Sequence, residues 1–243
     1  MIKTIKNLTK LCLFTSTVSL MSAEVNATSN ANWQMVWSDE FNGTQINTDN
    51  WVHETHCEPK NQEKQCYSDG EEYSYTSDGT LKIVALPTPY NDLPYTSARM
   101  NSRYKADFKY GRFEISAKLP TGQGSWPAFW MKATDDVYGT WPHSGEIDIM
   151  EAINLKTTEE EDNGGNDEES RTSGALHYGK SWPDNAHSSK GYHLTNGVNP
   201  ADGFHTYAVE WQKGEIRWYV DDVLFQTQRR SEVALDDDGL PYL

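Results

Sequence analysis

The sequence predicts an all-β sandwich, and three observations carry this prediction. Segments that alternate apolar with polar residues recur along the chain, as expected for strands with one buried face. Turns rich in Gly and Asp separate these segments, and no long stretch repeats apolar residues with the helical period. The clearest strand signals lie in residues 33–37, 81–86, 112–119 and 204–211.

Two tight hairpins are predicted near the end of the chain. Lys213-Gly214 separates residues 207–211 from residues 216–220, and Asp221-Asp222 separates the latter from residues 223–227. Two-residue connections of this composition are typical of antiparallel hairpins.

One acidic segment interrupts the strand pattern at residues 157–169. It is rich in Glu, Asp, Gly and Asn and offers no apolar positions to bury, so a solvated loop is predicted. A calcium site is the alternative, but the segment lacks the ligand spacing of an EF-hand loop.

The first 27 residues are predicted to be a signal peptide. A basic start precedes the apolar run 11–20, and Val25-Asn26-Ala27 has the small-x-small pattern that precedes a cleavage point. We therefore expect a secreted protein, extracellular or periplasmic, with no membrane attachment after cleavage. The net charge of −15 argues against nucleic acid and anionic membrane surfaces as partners.

The cysteines leave one question open. Of the three, Cys12 lies in the predicted signal peptide, whereas Cys57 and Cys66 stay in the mature chain. These two could form a disulfide in an oxidising compartment or remain free thiols. A metal site is not predicted, because no further Cys pair or spaced His accompanies them.

Three acidic residues, Glu146, Asp148 and Glu151, share one short predicted strand. Alternate residues of a strand share a face, so Glu146 and Asp148 point together and Glu151 would point away. A β-bulge with either Ile149 or Met150 as its extra residue reverses this parity and returns Glu151 to the face of the other two. The sequence therefore predicts a bulge within the acidic strand.

Three acids on one face indicate a chemical role, because like charges repel one another there. Retaining glycosidases use one carboxylate nucleophile and one carboxylic acid, about 5–5.5 Å apart. A third acid between them can hold a shared proton. The alternative is a solvated acidic strand edge.

Aromatic residues flank the acidic strand in sequence. Trp126, Trp130 and Trp141 precede it, and Trp182 follows the acidic segment. Aromatic rings offer flat apolar surfaces on which the C–H faces of sugars can stack. Core packing is the alternative for any single Trp, so the cluster rather than one member favours a sugar-binding surface.

These residues resemble glycoside hydrolase family 16. The stretch 141–151, Trp-Pro-His-Ser-Gly-Glu-Ile-Asp-Ile-Met-Glu, is similar to the family's catalytic signature. The resemblance covers nearly all of residues 33–243 and includes residues 36–43, 61–67, 95–100, 110–114, 124–130 and 204–211.

The resemblance implies a β-jelly-roll sandwich of two antiparallel sheets with a substrate cleft across the concave sheet. It implies retaining hydrolysis of β-1,3 or β-1,4 linkages, with Glu146 as nucleophile, Glu151 as general acid/base and Asp148 as the assisting acid. No cofactor is required for this chemistry. Sugar-binding positions are implied for Asn61, Glu63, Arg99, Trp126, Trp130, Trp141 and His177, and a core position stays open for His177.

The bulged spacing Glu-x-Asp-x-x-Glu most resembles bacterial laminarinases, because licheninases and xyloglucan-modifying enzymes usually lack the extra residue. The implied activity is endo-hydrolysis of the polysaccharide β-1,3-glucan, with mixed β-1,3/1,4-glucan as a further substrate. The alternatives are a galactan hydrolase acting on agar or carrageenan, and a non-catalytic glucan-binding protein on the same fold. Such binding relatives typically lose the catalytic acids, and this chain keeps all three.

The resemblance also bears on the ends of the chain. Family domains continue past a segment like residues 240–243, so the catalytic domain, residues 28–243, is expected to be truncated at its C-terminus. Family members often bind a structural calcium with ligands from both ends of the domain. That ion is not expected without its C-terminal ligand, and a monomer is expected.

Overall fold

The computed structural model describes residues 2–5, 33–58, 60–157 and 167–232, and strands account for nearly all of their regular structure. Two main antiparallel sheets lie at the centre of the fold. The larger contains, in spatial order, β16 (Val223–Arg229), β15 (Glu215–Val220), β14 (His205–Gln212), β9 (Gly111–Ala117), β1 (Ile2–Ile5) and β2 (Trp33–Trp37). The smaller contains β10 (Ala128–Lys132), β11 (Glu146–Glu151), β12 (Arg171–Gly179) and β13 (Asn185–His193).

Short elements complete the described part of the chain. β3 (Val52–His53) pairs with β8 (Met100–Asn101), β5 (Ser74–Ser77) with β6 (Thr80–Ile83), and β4 (Gln65–Tyr67) runs parallel to β7 (Tyr95–Ser97). Single 3₁₀ turns span Asp167–Ser170, Thr195–Gly197 and Arg230–Glu232. Within these ranges, no helix is long and apolar enough to cross a bilayer.

The predicted all-β architecture is confirmed, but two strands end earlier than the pattern indicated. The strand expected at residues 112–119 ends at Ala117. The strand expected at residues 81–86 ends at Ile83. Val84 N still donates to Tyr73 O, in the register of the β5–β6 pair, and the partner changes at Leu86, which pairs with Thr96. The alternation of apolar and polar residues therefore continues past the point at which the pairing partner changes. The sequence gives no sign of that change.

Both predicted hairpins are present in the larger sheet. Gln212 pairs with Glu215 across the Lys213-Gly214 turn, and Val220 pairs with Val223 across Asp221-Asp222. Asp221 and Asp222 have φ angles of 48° and 62°, as a type I′ turn requires. The two hairpins bring β14, β15 and β16 side by side in the larger sheet.

The core fills the space between the two main sheets. Tyr207, Val209 and Trp218 enter it from the larger sheet and are fully buried. Ile149 and Leu176 enter from the smaller sheet, at 2% and 1% exposure. Since these apolar side chains fix which face of each strand points inward, they also fix the acidic face of β11 outward.

Cys57 and Cys66 form a disulfide, which settles the question left open by the sequence. Cys66 lies in β4 and is the register partner of Thr96 in the parallel strand β7. The disulfide and this pairing hold the segment that carries Glu63 beside the segment that leads to Arg99.

Several predictions fall partly or wholly outside the described residues. These are the cleavage point after Ala27, most of the acidic segment (158–166) and the C-terminal segment 240–243. Ile2–Ile5 lies inside the predicted signal peptide, and its backbone pairs with β2 and β9. The signal peptide and the solvated acidic loop therefore stay predictions.

Candidate active site

β11 contains the bulge that the parity of the acids required. Against β12, Asp148 pairs with Ala175 and Glu151 with Ser173, so two residues of β11 face the single residue Gly174. Against β10, Met150 pairs with Phe129 and Asp148 with Trp130, which leaves Ile149 as the extra residue. The choice between Ile149 and Met150 is thereby settled for Ile149.

The three acids act on one another electrostatically, as expected for side chains on one face. Asp148 is 3% exposed, whereas Glu146 and Glu151 are half-buried. The charge of Asp148 raises the pKa of both glutamates. The central acid is therefore placed to influence the ionisation of the other two.

Burial is the largest cause of the raised glutamate pKa values. Desolvation raises the pKa of Glu146 to about 7, with a further rise from Asp148 and opposing effects of His177 and Lys132. Desolvation and Asp148 also raise the pKa of Glu151, against the hydrogen bond from Trp126. Both carboxyls thus retain protons at a higher pH than an exposed glutamate.

These electrostatics do not by themselves divide the roles between Glu146 and Glu151. A nucleophile must be ionised and a general acid protonated, yet the pKa of both groups moves upward. The assignment of Glu146 as nucleophile and Glu151 as acid/base follows from the family resemblance alone. It requires a direct chemical test.

His177 lies on the acidic face of the smaller sheet rather than in the core. It is the register partner of Glu146, and its Nε2 lies 3.2 Å from Asp148 Oδ2. The contact with Asp148 raises the pKa of His177, against desolvation by burial. The ring centroids of Trp141 and His187 lie 5.9 Å and 5.8 Å from that of His177.

Trp126 contacts an acid directly. Its Nε1 donates a hydrogen bond of 2.9 Å to Glu151 Oε1, and its side chain is 44% exposed. The indole can therefore orient the Glu151 carboxyl while leaving apolar surface for a ligand.

Arg99 and Trp130 form a second group on this side of the molecule. The Arg99 guanidinium lies 4.6 Å from the centroid of the Trp130 ring, and Trp130 is the register partner of Asp148. The guanidinium also lies 5.7 Å from the centroid of the Tyr67 ring, whose hydroxyl donates to Glu63 Oε2 over 3.3 Å. A series of contacts therefore runs from Glu63 through Tyr67 and Arg99 to Trp130, which lies beside the acidic strand.

The described contacts do not link every predicted sugar-binding residue to the acids. Asn61 lies in an exposed turn with a φ of 51°, closed by a hydrogen bond from Glu63 N to Lys60 O. No contact among the described residues joins Asn61 to the acidic strand. Its role in binding stays a prediction.

Sequence reasoning missed two groups that act on these residues. Glu54 Oε2 lies 3.0 Å from Arg99 Nε, and Glu54 Oε1 accepts a hydrogen bond from Asn101. Lys132 pairs with Glu146 across β10 and β11 and lowers the pKa of that acid. The sequence carries no signal for either contact, since both join segments brought together only by strand pairing.

The same cluster has the donors of a cation site. Glu146, Asp148 and His177 each offer a ligand atom, and these atoms lie within 4.8 Å of one another. Double displacement at a sugar uses carboxyl groups to transfer protons and to form the covalent bond, and it does not need a metal. The expectation of no metal stays a prediction.

We expect the Asp148→Asn variant to shift the pH profile of kcat/KM toward lower pH. In the parent, Asp148 raises the pKa of both glutamates, and their ionisation is expected to set the two limbs of the profile. Removing the charge of Asp148 lowers the pKa of Glu146 and Glu151, so both limbs of the profile should move down by about one pH unit.

The measurement is kcat/KM from pH 4 to pH 9 for the parent and both variants, with exposed Asp78→Asn as the matched control. Asp78 lies in the β5–β6 turn with a φ of 51°, a conformation that Asn adopts readily. An Asp148→Asn profile with the parent's limbs would rule out Asp148 as the group that raises these pKa values.

Residues 59–241 match the family described as glycosyl hydrolases family 16. The chain is 38% identical to the glucan endo-1,3-beta-glucosidase A1 of Niallia circulans over 80% of this chain and 29% of that protein. It is 38% identical to a beta-glucanase of Rhodothermus marinus over 79% of this chain and 64% of that protein. The chain therefore spans about a third and about two thirds of these relatives.

The fold is similar to that of the laminarinase from Rhodothermus marinus. The two structures align with a TM-score of 0.71 and 35% identity, over 82% of this chain and 76% of that chain.

Proposed function

Because the chain belongs to glycoside hydrolase family 16 and has that family's jelly-roll fold, we propose that it is an endo-acting, retaining β-1,3-glucanase. The observation that carries the proposal is the bulged strand β11, which gathers Glu146, Asp148 and Glu151 on one face beside His177. Relatives of 38% identity named for β-1,3-glucan or β-glucan hydrolysis support the substrate. Mixed β-1,3/1,4-glucan is the second substrate that we propose.

In the first step, Glu146 attacks the anomeric carbon while Glu151 protonates the departing glycosidic oxygen. The bond from the anomeric carbon to that oxygen breaks, and a bond to the Glu146 carboxylate forms. Trp126 Nε1 holds the Glu151 carboxyl during the transfer of its proton.

In the second step, water attacks the anomeric carbon and Glu151 accepts its proton. The bond to Glu146 breaks, and the sugar leaves with the configuration that it had in the polysaccharide. Asp148 raises the pKa of both glutamates and so favours a state in which one proton is kept between them.

A panel of polysaccharides tests the substrate. The protein is incubated with laminarin, lichenan, agarose and carrageenan, and new reducing ends are measured. We expect cleavage of laminarin and slower cleavage of lichenan, and proton NMR of the first products should show retained configuration. Cleavage of agarose without cleavage of laminarin would contradict the β-1,3-glucanase proposal, and an inverted anomer would exclude double displacement.

We further propose that the protein is a secreted monomer that loses residues 1–27. The basic and apolar start of the chain and the small-x-small pattern at residues 25–27 support secretion with cleavage after Ala27. N-terminal sequencing of protein recovered outside the cytoplasm should begin at Thr28, and light scattering should give the mass of one chain. An N-terminus at Met1 would contradict cleavage.

A further inference from the structure

Trp218, a residue of the opposite sheet, contacts the backbone of the acidic strand at its bulge. The indole Nε1 donates a buried hydrogen bond of 2.8 Å to the carbonyl oxygen of Asp148. Trp218 lies in β15 and is fully buried, so this bond crosses the core from the larger sheet to the smaller one. Asp148 is the last residue of β11 before the extra residue Ile149.

A donor at this point has a specific consequence. A bulge interrupts the ladder of backbone hydrogen bonds and bends its strand. Buried backbone carbonyls need a donor, since an unpaired one is costly. The bond from Trp218 therefore favours the bulged form of β11 over a regular strand, in which Glu151 would point into the core.

Gly174 makes room for this contact. It is the single residue of β12 that faces the two bulge residues, and a Cβ at this position would lie 2.3 Å from Trp218 Cδ1 and 2.8 Å from Nε1. Real Cβ atoms do not approach that closely. Any larger residue at position 174 would displace the indole from the Asp148 carbonyl.

We propose that Trp218 is a positioning residue for catalysis, which holds the bulge of β11 through the Asp148 carbonyl and so keeps Glu151 on the face of Glu146. Gly174 is the second part of this device, because it leaves the space that the indole fills. The inference rests on the proposed function for its kinetic consequence, but the geometry of Glu151 is measurable without a substrate.

The test compares Trp218→Phe with Trp211→Phe. Both remove an indole from the larger sheet. Trp211 is half-buried and packs against Tyr110 and Phe113, and no described hydrogen bond joins its indole to β11. We expect kcat of Trp218→Phe on laminarin to fall by about 100-fold with little change in KM, because a displacement of about 1 Å at a reacting group has that effect. Trp211→Phe should keep kcat close to that of the parent.

A second readout needs no activity. The side-chain carboxyls of glutamate are labelled with ¹³C, and the titration of Glu151 is followed by NMR. In the parent, burial and Asp148 hold the Glu151 pKa above its ordinary value of 4.5. In Trp218→Phe it should fall toward that value as Glu151 moves away from Asp148, and in Trp211→Phe it should not move.

The possible outcomes separate the two proposals. A parent that cleaves no glucan contradicts the proposed function, and the NMR titration still tests the role of Trp218. Parent-like kcat and an unmoved Glu151 titration in Trp218→Phe overturn the positioning role. Equal losses in both variants also overturn it, since they would indicate only a loss of core packing.

Two further variants apply if Trp218→Phe does not fold. Replacing Trp218 with 3-benzothienylalanine keeps the ring shape and removes only the N–H donor. Gly174→Ala keeps the indole and displaces it. We expect both to lower kcat and the Glu151 pKa, and parent-like values in the benzothienylalanine protein overturn the proposal.

Discussion

Replacing Glu146 with serine is expected to abolish hydrolysis of β-1,3-glucan while leaving binding of the oligosaccharide largely intact. The variant lacks the carboxylate that would form the covalent bond to the anomeric carbon, and loss of a nucleophile lowers kcat by about 10⁴-fold or more. Reducing-end assays on laminarin and calorimetric titration with laminari-oligosaccharides provide the two measurements. Hydrolysis by Glu146→Ser at the parent rate would disprove the assignment of Glu146 as nucleophile.

The same variant has a measurable effect on folding, which separates chemistry from misfolding. The pKa of Glu146 is raised from 4.5 to about 7 in the folded protein, so the folded state binds the proton more tightly than the unfolded one. As pH rises from about 4.5 to about 7, ionisation of Glu146 lowers the free energy of unfolding of the parent. The Glu146→Ser variant lacks this carboxyl, so its free energy of unfolding is not lowered in this way as pH rises.

We therefore expect Glu146→Ser to gain stability relative to the parent across that pH window. Denaturant unfolding at pH 4.5 and pH 8 measures the difference, with Glu71→Ser as the control because Glu71 is exposed. A variant that is inactive and also much less stable at pH 8 would indicate disruption of the site rather than removal of a nucleophile.

Glu151→Ala is expected to lower kcat on laminarin by 10²- to 10⁴-fold, the range for loss of a general acid. The loss should be much smaller on a dinitrophenyl β-laminaribioside, because that leaving group departs without protonation. The glycosyl-enzyme then accumulates, since no base activates water. Added azide, which needs no base, should restore turnover and give a glycosyl azide of retained configuration.

Azide also separates the two glutamates. In Glu146→Ser, azide can only replace the missing nucleophile by attacking the substrate directly, so its product has inverted configuration. ¹H NMR of the glycosyl azides from both variants therefore assigns the roles that the electrostatics of the free protein do not divide. An inverted azide from Glu151→Ala would mean that the two roles must be exchanged. Glu151→Gln, which keeps an acceptor for Trp126 Nε1, controls for loss of that contact.

Local patterns predicted the parts of the fold that depend on neighbouring residues. The hairpins at Lys213-Gly214 and Asp221-Asp222 follow from turn chemistry, and the strands around them follow from alternation. The strand expected at residues 81–86 extended too far, because Val84 and Leu86 pair with separate segments. Alternation indicates that a residue is extended but does not identify its partner.

The sequence by itself determined that β11 must bulge if its three acids are to act together. The period of a strand is two, and Glu146 and Glu151 have opposite parity. Which residue is extra could not be read from the sequence, since it depends on the register with β10 and β12. The pairing, rather than the local pattern, selected Ile149.

Only the tertiary structure placed His177 against Asp148, Lys132 opposite Glu146, and Trp218 on the Asp148 carbonyl. Trp218 is 70 residues from Asp148 in the chain and lies in the other sheet. The first two contacts come from strand pairing within the smaller sheet, and the third comes from packing of the two sheets face to face. No periodicity of a single strand encodes any of them. The sequence therefore predicted which groups would carry the chemistry, and strand pairing together with the packing of the two sheets decided how those groups are held and buried.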